Sequence, residues 1–398
     1  MIIKNGRVVT PQGILEDCTL KLEDGKIAEL YAKEWDVAET VIDAEGAYLC
    51  PGFVDIHTHG GGGGDFMDAE DEAFDAALGF HSRYGTTSLL ATSVTAPPEQ
   101  ICEMLSFVRK YKEKEHPICR VMGAHIEGPY ISYKNKGAQH ERFLRVPAKD
   151  SYDFILDNSD VIRTVTIAPE LEGAEQMTKD LVAAGIVVCG GHDDGEKAKI
   201  MPVLEAGLSH CTHLWCAMST VAMRDGVRSV GLCELGLTDD RLTVEIIADN
   251  HHITSDMMKL IFKCKGATGM CVVSDSLRAG GMPIGDTLYS LGTKKDPNAQ
   301  KFIVSDGVAR LPDGSRLAGS IQPVSQMVKN LVQDAGIPLW NAVTCGSLTP
   351  AKVVGIDHLV GSIEVGKLAD ICIMDEGLNV IKTITGGKLV YERERING

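Results

Sequence analysis

The sequence predicts a (β/α)8 TIM-type barrel with a small β-sandwich formed by both chain ends. Three observations carry this. Eight short apolar runs lie between about Pro51 and Gly355, helix-patterned stretches separate most of them, and the two chain ends read as strands and turns with no helical period.

The ends come first. MIIKNGRVVT, CTLKLEDGKIAEL and VIDAEGAYLCPG alternate apolar and polar residues, with NG and DG where turns are needed. Near the other end, GSIEVGKLADICIMDE and VIKTITGGKLVYERE repeat that pattern with GK and GG turns. Residues 1–50 and 356–398 are therefore expected to meet in one small β-sandwich, with the barrel, 51–355, inserted between them.

The barrel runs follow in order: GFVDIHTHG, TSLLATSV, VMGAHIEG, TVTIAPE, GIVVCGGH, HCTHLW, VEIIADNHH and GMCVVSDS. Helical stretches are expected over residues 70–84, 99–113, 173–185, 195–206 and 254–264. Eight alternating units close into a parallel barrel more readily than they form an open sheet. The glycine run Gly60 to Gly64 reads as a loop.

A chain of 398 residues suits this plan, and 44% apolar with 24% charged residues is ordinary globular composition. The net charge of −16 argues against nucleic acid as a partner, because phosphate backbones need Lys and Arg. A small anionic substrate stays compatible, since a pocket can carry a local positive potential. The twelve cysteines include no CxxC pair and lie singly in apolar runs, as reduced buried thiols do. No signal peptide and no apolar run of membrane-spanning length is visible. The expectation is a soluble cytoplasmic protein without membrane contact.

In a barrel, chemistry gathers where the strands end. Here strand one ends in His57-Thr58-His59, strand three in Glu127 and strand five in His192. Strand six carries His213, strand seven His251 and His252, and strand eight ends in Asp275. Residues i and i+2 of a strand share a face, so His57 and His59 can both point into the mouth. His57, His59, His192, His213 and Glu127 together form a donor set for zinc or a similar divalent ion. Asp275 faces that set from the last strand, placed to take a proton from the attacking water and hand it to a leaving group. Asp55 is expected to be structural, as are His81, His116 and His358.

With these residues in view, the chain resembles the N-acetylglucosamine-6-phosphate deacetylase family of the amidohydrolase superfamily. PGFVDIHTHGGGG, AHIEGPYIS, GGH, THLWCAMS, IADNHHI, VVSDS and LAGS occur in that family's order, and the likeness covers essentially the whole chain. The resemblance implies removal of acetate from an N-acetyl amino-sugar 6-phosphate. It implies that Glu127, His192 and His213 hold a principal metal, and that His57 and His59 hold a second with Glu127 bridging. Zinc is the expected ion, one or two per chain, with iron, manganese and cobalt as alternatives. Asp275 would be general base and then general acid.

The resemblance also implies an oxyanion donor after Lys136-Gly137-Ala138. Either Gln139 or His140 can fill that role, and His140 is preferred. Substrate phosphate would be held by the backbone amides of Cys216 and Ala217, by Arg224 and by His252. The family arginine reaches across a dimer interface, which implies a homodimer. Three positions depart from the family: Cys216 for Asn, Asp225-Gly226-Val227 for a Glu-Pro-Gly run, and Asn250 for Gly. These departures leave room for another N-acyl substrate, such as N-acetylgalactosamine 6-phosphate. A scaffold without activity would be expected to lose ligands, and all five are present. A cyclic-amide hydrolase would need a lysine after strand four, where this chain reads TIAPE.

Overall fold

The computed structural model describes residues 1–394 apart from Trp35, Val37, Ala38, Asp225, Asp286 and the side chain of Arg224. Eight parallel strands form its centre: Phe53–Thr58, Thr86–Thr92, Arg120–Glu127, Ile162–Ile167, Val187–Gly190, His210–Cys211, Thr243–Ile246 and Met270–Val272. They pair in sequence order from the first to the eighth. All eight apolar runs became these strands. Nearly every residue in them is buried, because helices cover the outside and side chains fill the inside.

The seam between the first and eighth strands is closed without a regular ladder. Asp275 N donates to His57 O at 2.9 Å, and His59 N donates to Ser276 O at 2.9 Å. Asp55 Oδ1 accepts from Ser274 N at 3.1 Å, so a buried carboxylate stitches one strand to the other. The seam thus joins the two strands that carry His57, His59 and Asp275.

The five expected helices are Asp71–Arg83, Pro98–Lys112, Ala174–Ala183, Lys197–Glu205 and Ser255–Gly269. The link between strands three and four holds a 3-10 turn, Glu141–Phe143, and one short α-helix, Asp153–Leu156. After strand eight the chain builds a four-stranded antiparallel sheet: Tyr289–Ser290, Lys301–Ser305, Val308–Arg310 and Leu317–Gly319. Helices Val324–Gln333, Leu339–Cys345 and Leu348–Val353 follow.

The chain ends combine as expected, with one difference in form. Strands from both ends hydrogen-bond into a single eight-stranded sheet. Tyr48–Pro51 joins its two halves by pairing with Ile2–Thr10 on one side and Ile371–Met374 on the other. Ile3, Leu20, Ile27, Leu49, Ile371 and Ile384 belong to its own apolar cluster, distinct from the barrel core. All twelve cysteines are free, and Cys264 is exposed, contrary to the expectation that all are buried. Among the described residues, no helix is long and apolar enough to cross a membrane.

The glycine run forms a tight hairpin, Gly60–Gly61 with Gly64–Asp65. A Cβ at Gly60 would lie 2.1 Å from Gly64 O, and one at Gly64 would lie 2.2 Å from Ala73 O, so side chains are barred there. The tip docks onto the segment after strand eight through Gly63 N, which donates to Arg278 O at 2.8 Å.

An ion pair of half-buried Arg120 with buried Asp370 ties the barrel to the end sheet. Asp370 is 4% exposed, and its Oδ1 also accepts from Gly386 N at 2.7 Å. Removing the guanidinium strands a buried carboxylate. Arg120→Ala is therefore expected to cost about 3 kcal/mol of unfolding free energy. A denaturant titration checks this, and a midpoint equal to that of the parent protein would contradict it.

Candidate active site

Glu127 ends the third strand and lies at the floor of the barrel mouth. Its Oε1 is 3.0 Å from His213 Nε2 and 3.1 Å from His192 Nε2. His57 Nε2 lies 3.5 Å from the same oxygen, and His59 Nε2 lies 3.4 Å from Oε2. Asp275 Oδ1 is 3.2 Å from His59 Nε2 and 3.6 Å from His57 Nε2. The structure therefore brings together all five expected ligands and the expected base. All six are buried.

The backbone is bent to achieve this. His192, His213 and Asp275 take φ values of 49°, 26° and 44°, in the left-handed region that side-chain-bearing residues avoid. Such strain persists only where the surroundings enforce it, and it gathers at functional sites. Asn250 has φ 64°, a conformation that glycine and asparagine adopt readily. The asparagine that stands here for the family glycine thus tolerates this backbone.

The electrostatics favour a cation. Burial opposes charge on Glu127, yet the surrounding imidazoles hold its carboxyl well below the usual range. Burial also opposes charge on His57 and His59. Glu127 with Glu245 outweighs it at His57, raised to about 9, and Asp275 with Glu127 outweighs it at His59, raised to about 10.

The donor set fits a divalent ion. His57 Nε2 is fully buried without a hydrogen-bond partner, and it points between Glu127 and Asp275 at distances too long for good hydrogen bonds. Ligand atoms of His57, Glu127 and His213 lie within 4.8 Å of one another, as do those of His57, His59 and Asp275. Asp275, expected only as a base, is thus also placed to ligate.

Sequence reasoning missed the support behind these ligands. Glu245, inside strand seven, is 3.0 Å from His57 Nδ1 through Oε2 and 3.1 Å from His210 Nε2 through Oε1. Its Oε2 also accepts from His213 N at 3.2 Å. One buried carboxylate therefore orients two ligands. The signal was a lone glutamate inside the apolar run VEIIA. His192 is oriented by the Asn135 carbonyl, 2.9 Å from Nδ1.

Other expectations are sorted by the same geometry. Gln139 lines the cavity, donates from Nε2 to Glu127 Oε2 at 2.7 Å, and accepts at Oε1 from Thr95 N at 2.8 Å. The preference for His140 is revised. His140 lies in a neighbouring depression at the start of a short 3-10 turn, and its ring accepts from Arg142 N at 3.3 Å. Cys216 and Ala217 both line the cavity, but Cys216 N already donates to His213 O at 2.9 Å. His252 lines it too, held by Asp249 Oδ2 at 2.8 Å. Arg224 ends the strand Ala222–Arg224, and its side chain lies outside the described residues, as does Asp225. His81 is structural: its Nε2 is 3.0 Å from Thr58 Oγ1, and burial lowers its pKa to about 4. Asp55 acts at the seam.

The cavity over Glu127 holds about 380 Å³, which suits a small polar metabolite. A barrel with four imidazoles and two carboxylates at its mouth defines a metal-dependent hydrolase. Residues 48–390 match the amidohydrolase family, and the chain belongs to it. An N-acetylgalactosamine-6-phosphate deacetylase of Escherichia coli O157:H7 is 32% identical, with 98% of each chain covered. An N-acetylglucosamine-6-phosphate deacetylase of Vibrio furnissii is also 32% identical, over 93% of this chain and 90% of that one. Among solved structures, the D267A mutant of N-acetyl-D-glucosamine-6-phosphate deacetylase from Mycobacterium smegmatis, in complex with N-acetyl-D-glucosamine-6-phosphate, superposes with a TM-score of 0.87. It is 29% identical and covers 98% of this chain and 99% of its own.

Orientation by Glu245 is expected to matter for ion affinity. Glu245→Gln should weaken divalent-metal binding about 10- to 100-fold while leaving the circular dichroism spectrum unchanged. Calorimetric titration of the metal-stripped variant reads this directly, and parental affinity would remove Glu245 from the account.

Proposed function

We propose that the chain is a metal-dependent deacetylase that hydrolyses N-acetylglucosamine 6-phosphate to glucosamine 6-phosphate and acetate. The observation that carries this reading is the convergence of His57, His59, His192, His213 and Asp275 around Glu127 in one cavity. The names of its relatives support the phosphorylated acetamido sugar as substrate.

Glu127, His192 and His213 would hold a principal ion, and His57 with His59 a second. Zinc suits this set, and iron, manganese or cobalt are alternatives on ligand type. A bound ion supplies Lewis acidity, polarising the amide carbonyl and acidifying water.

Asp275 moves the protons. It accepts one from water as the water oxygen bonds to the acetyl carbon. It returns that proton to the sugar nitrogen as the carbon–nitrogen bond breaks, and the remaining proton of the attacking water passes to the amine, leaving acetate and an ammonium. Its position is fixed from both sides, through Asp275 N to His57 O and through Ser320 N to Asp275 O, each 2.9 Å. Gln139 carries two amide N–H donors. One is committed to Glu127, and the other faces the developing oxyanion. Trp215, Leu291 and Leu317 give the cavity an apolar wall.

Arg224, His252 and the Ala217 amide take the phosphate in this reading. A homodimer belongs to it as well. Val221, Met223 and Val227 are exposed at 44%, 61% and 68% on and beside the hairpin that carries Arg224, as a partner-facing arm would be.

A second reading is favoured by the galactosamine-specific name of a relative covering 98% of each chain, and by Cys216 in place of the family asparagine. It makes the galacto epimer the substrate.

Acetate release from both epimers and from unphosphorylated N-acetylglucosamine, on metal-replete protein, separates the readings. The first predicts fastest turnover of the gluco 6-phosphate, and faster turnover of the galacto epimer would select the second. No release from any of the three would refute both. Asp275→Asn is expected to keep its metal and lose about 100- to 10,000-fold in turnover. Undiminished turnover would remove Asp275 as the proton carrier.

A further inference from the structure

We propose that Arg316 is the cation, within the same chain, that selects for the substrate's anionic end. This rests on the reading of the substrate as a sugar phosphate. Arg316 was not singled out by the sequence, although it immediately precedes the LAGS motif.

Among the described residues lining the catalytic cavity, Arg316 is the one Lys or Arg. The floor carries the carboxylates Glu127 and Asp275, in a chain of net charge −16. An anionic ligand therefore needs a local positive charge at the rim. Neighbouring cations are already committed. Lys134 pairs with Asp194 at 2.8 Å, Arg142 pairs with Asp296 at 3.1 Å, and Lys136 pairs with Glu141. Arg316 makes no ion pair among the described residues. Among the described residues, its guanidinium makes a single hydrogen bond, a long 3.5 Å approach of Nη1 to Gly137 O. A guanidinium left with its donors unspent beside a polar cavity is suited to grip phosphate through two parallel hydrogen bonds.

Its placement is fixed relative to the chemistry. Arg316 O accepts from Leu311 N at 3.0 Å, which holds the entry to the strand Leu317–Gly319. That strand runs into Ser320, whose amide donates to Asp275 O and whose backbone bridges Ser276. Three residues therefore separate Arg316 from Ser320 and the backbone bond that holds Asp275. His252 and Ala217 line the same cavity, so Arg316 adds a cation of the same chain to the phosphate grip beside Arg224.

The experiment compares the parent protein with Arg316→Ala and Arg316→Lys on phosphorylated and unphosphorylated N-acetylglucosamine. It also measures inorganic phosphate binding to each by calorimetry. Arg316 is exposed, so the variants are expected to fold. Arg316→Ala should reduce the kcat/KM ratio of phosphorylated to unphosphorylated substrate about 10- to 100-fold. It should weaken inorganic phosphate by a similar factor, and Arg316→Lys should recover part of both. If the parent prefers the phosphorylated sugar and Arg316→Ala keeps the same ratio, Arg316 is not the selector while the substrate reading stands. If the parent hydrolyses neither sugar, the substrate reading has failed, and phosphate affinity decides Arg316 alone. Equal phosphate affinity in parent and variant would overturn it.

Discussion

The site depends on one buried carboxylate. Glu127 is 2% exposed and is approached by four imidazoles. Burying an anion costs several kcal/mol unless opposite charge and hydrogen bonds offset it. Here the offset comes from four rings at the ends of three different strands, and from the Gln139 amide. Any shift of one strand against another would break that convergence. The barrel is thus the scaffold that lets a buried carboxylate remain charged.

The same requirement explains features that look unrelated. The seam between strands one and eight is bonded at His57, His59, Ser274 and Asp275, so the two strands that carry these residues cannot drift apart. The left-handed backbones at His192, His213 and Asp275 turn these side chains inward where a strand would otherwise continue straight. Glu245 repeats the design one layer below, as a buried carboxylate held by His57 and His210. The antiparallel strands after Asp275 bring Arg316 and Leu317 over the mouth and tie the rim to Asp275.

Much of this was legible because it follows from periodicity. The barrel strands are apolar on both faces, so they appear as continuous runs, and HxH spacing places two rings on one face of a strand. What stayed hidden depended on local turns or on contacts remote in sequence. Whether Gln139 or His140 faces inward turns on one residue of register after Gly137, whose φ is 60°. The Cys216 amide reads as available until His213 folds back to accept from it. Glu245 is one charged letter in an apolar run, and its partners lie 188 and 35 residues away. The sheet over residues 289–319 has strands of two to five residues, too short for alternation to be seen.

The most direct test is anomalous diffraction at the metal absorption edge on crystals of the metal-replete protein. The account predicts a peak within coordination range, about 2.0–2.2 Å, of a Glu127 oxygen and of the His192 and His213 nitrogens. A second peak by His57 and His59 would establish a binuclear centre. A fully loaded protein with no peak at Glu127 would contradict the account, because the convergence of four imidazoles on that carboxylate would then serve something other than metal.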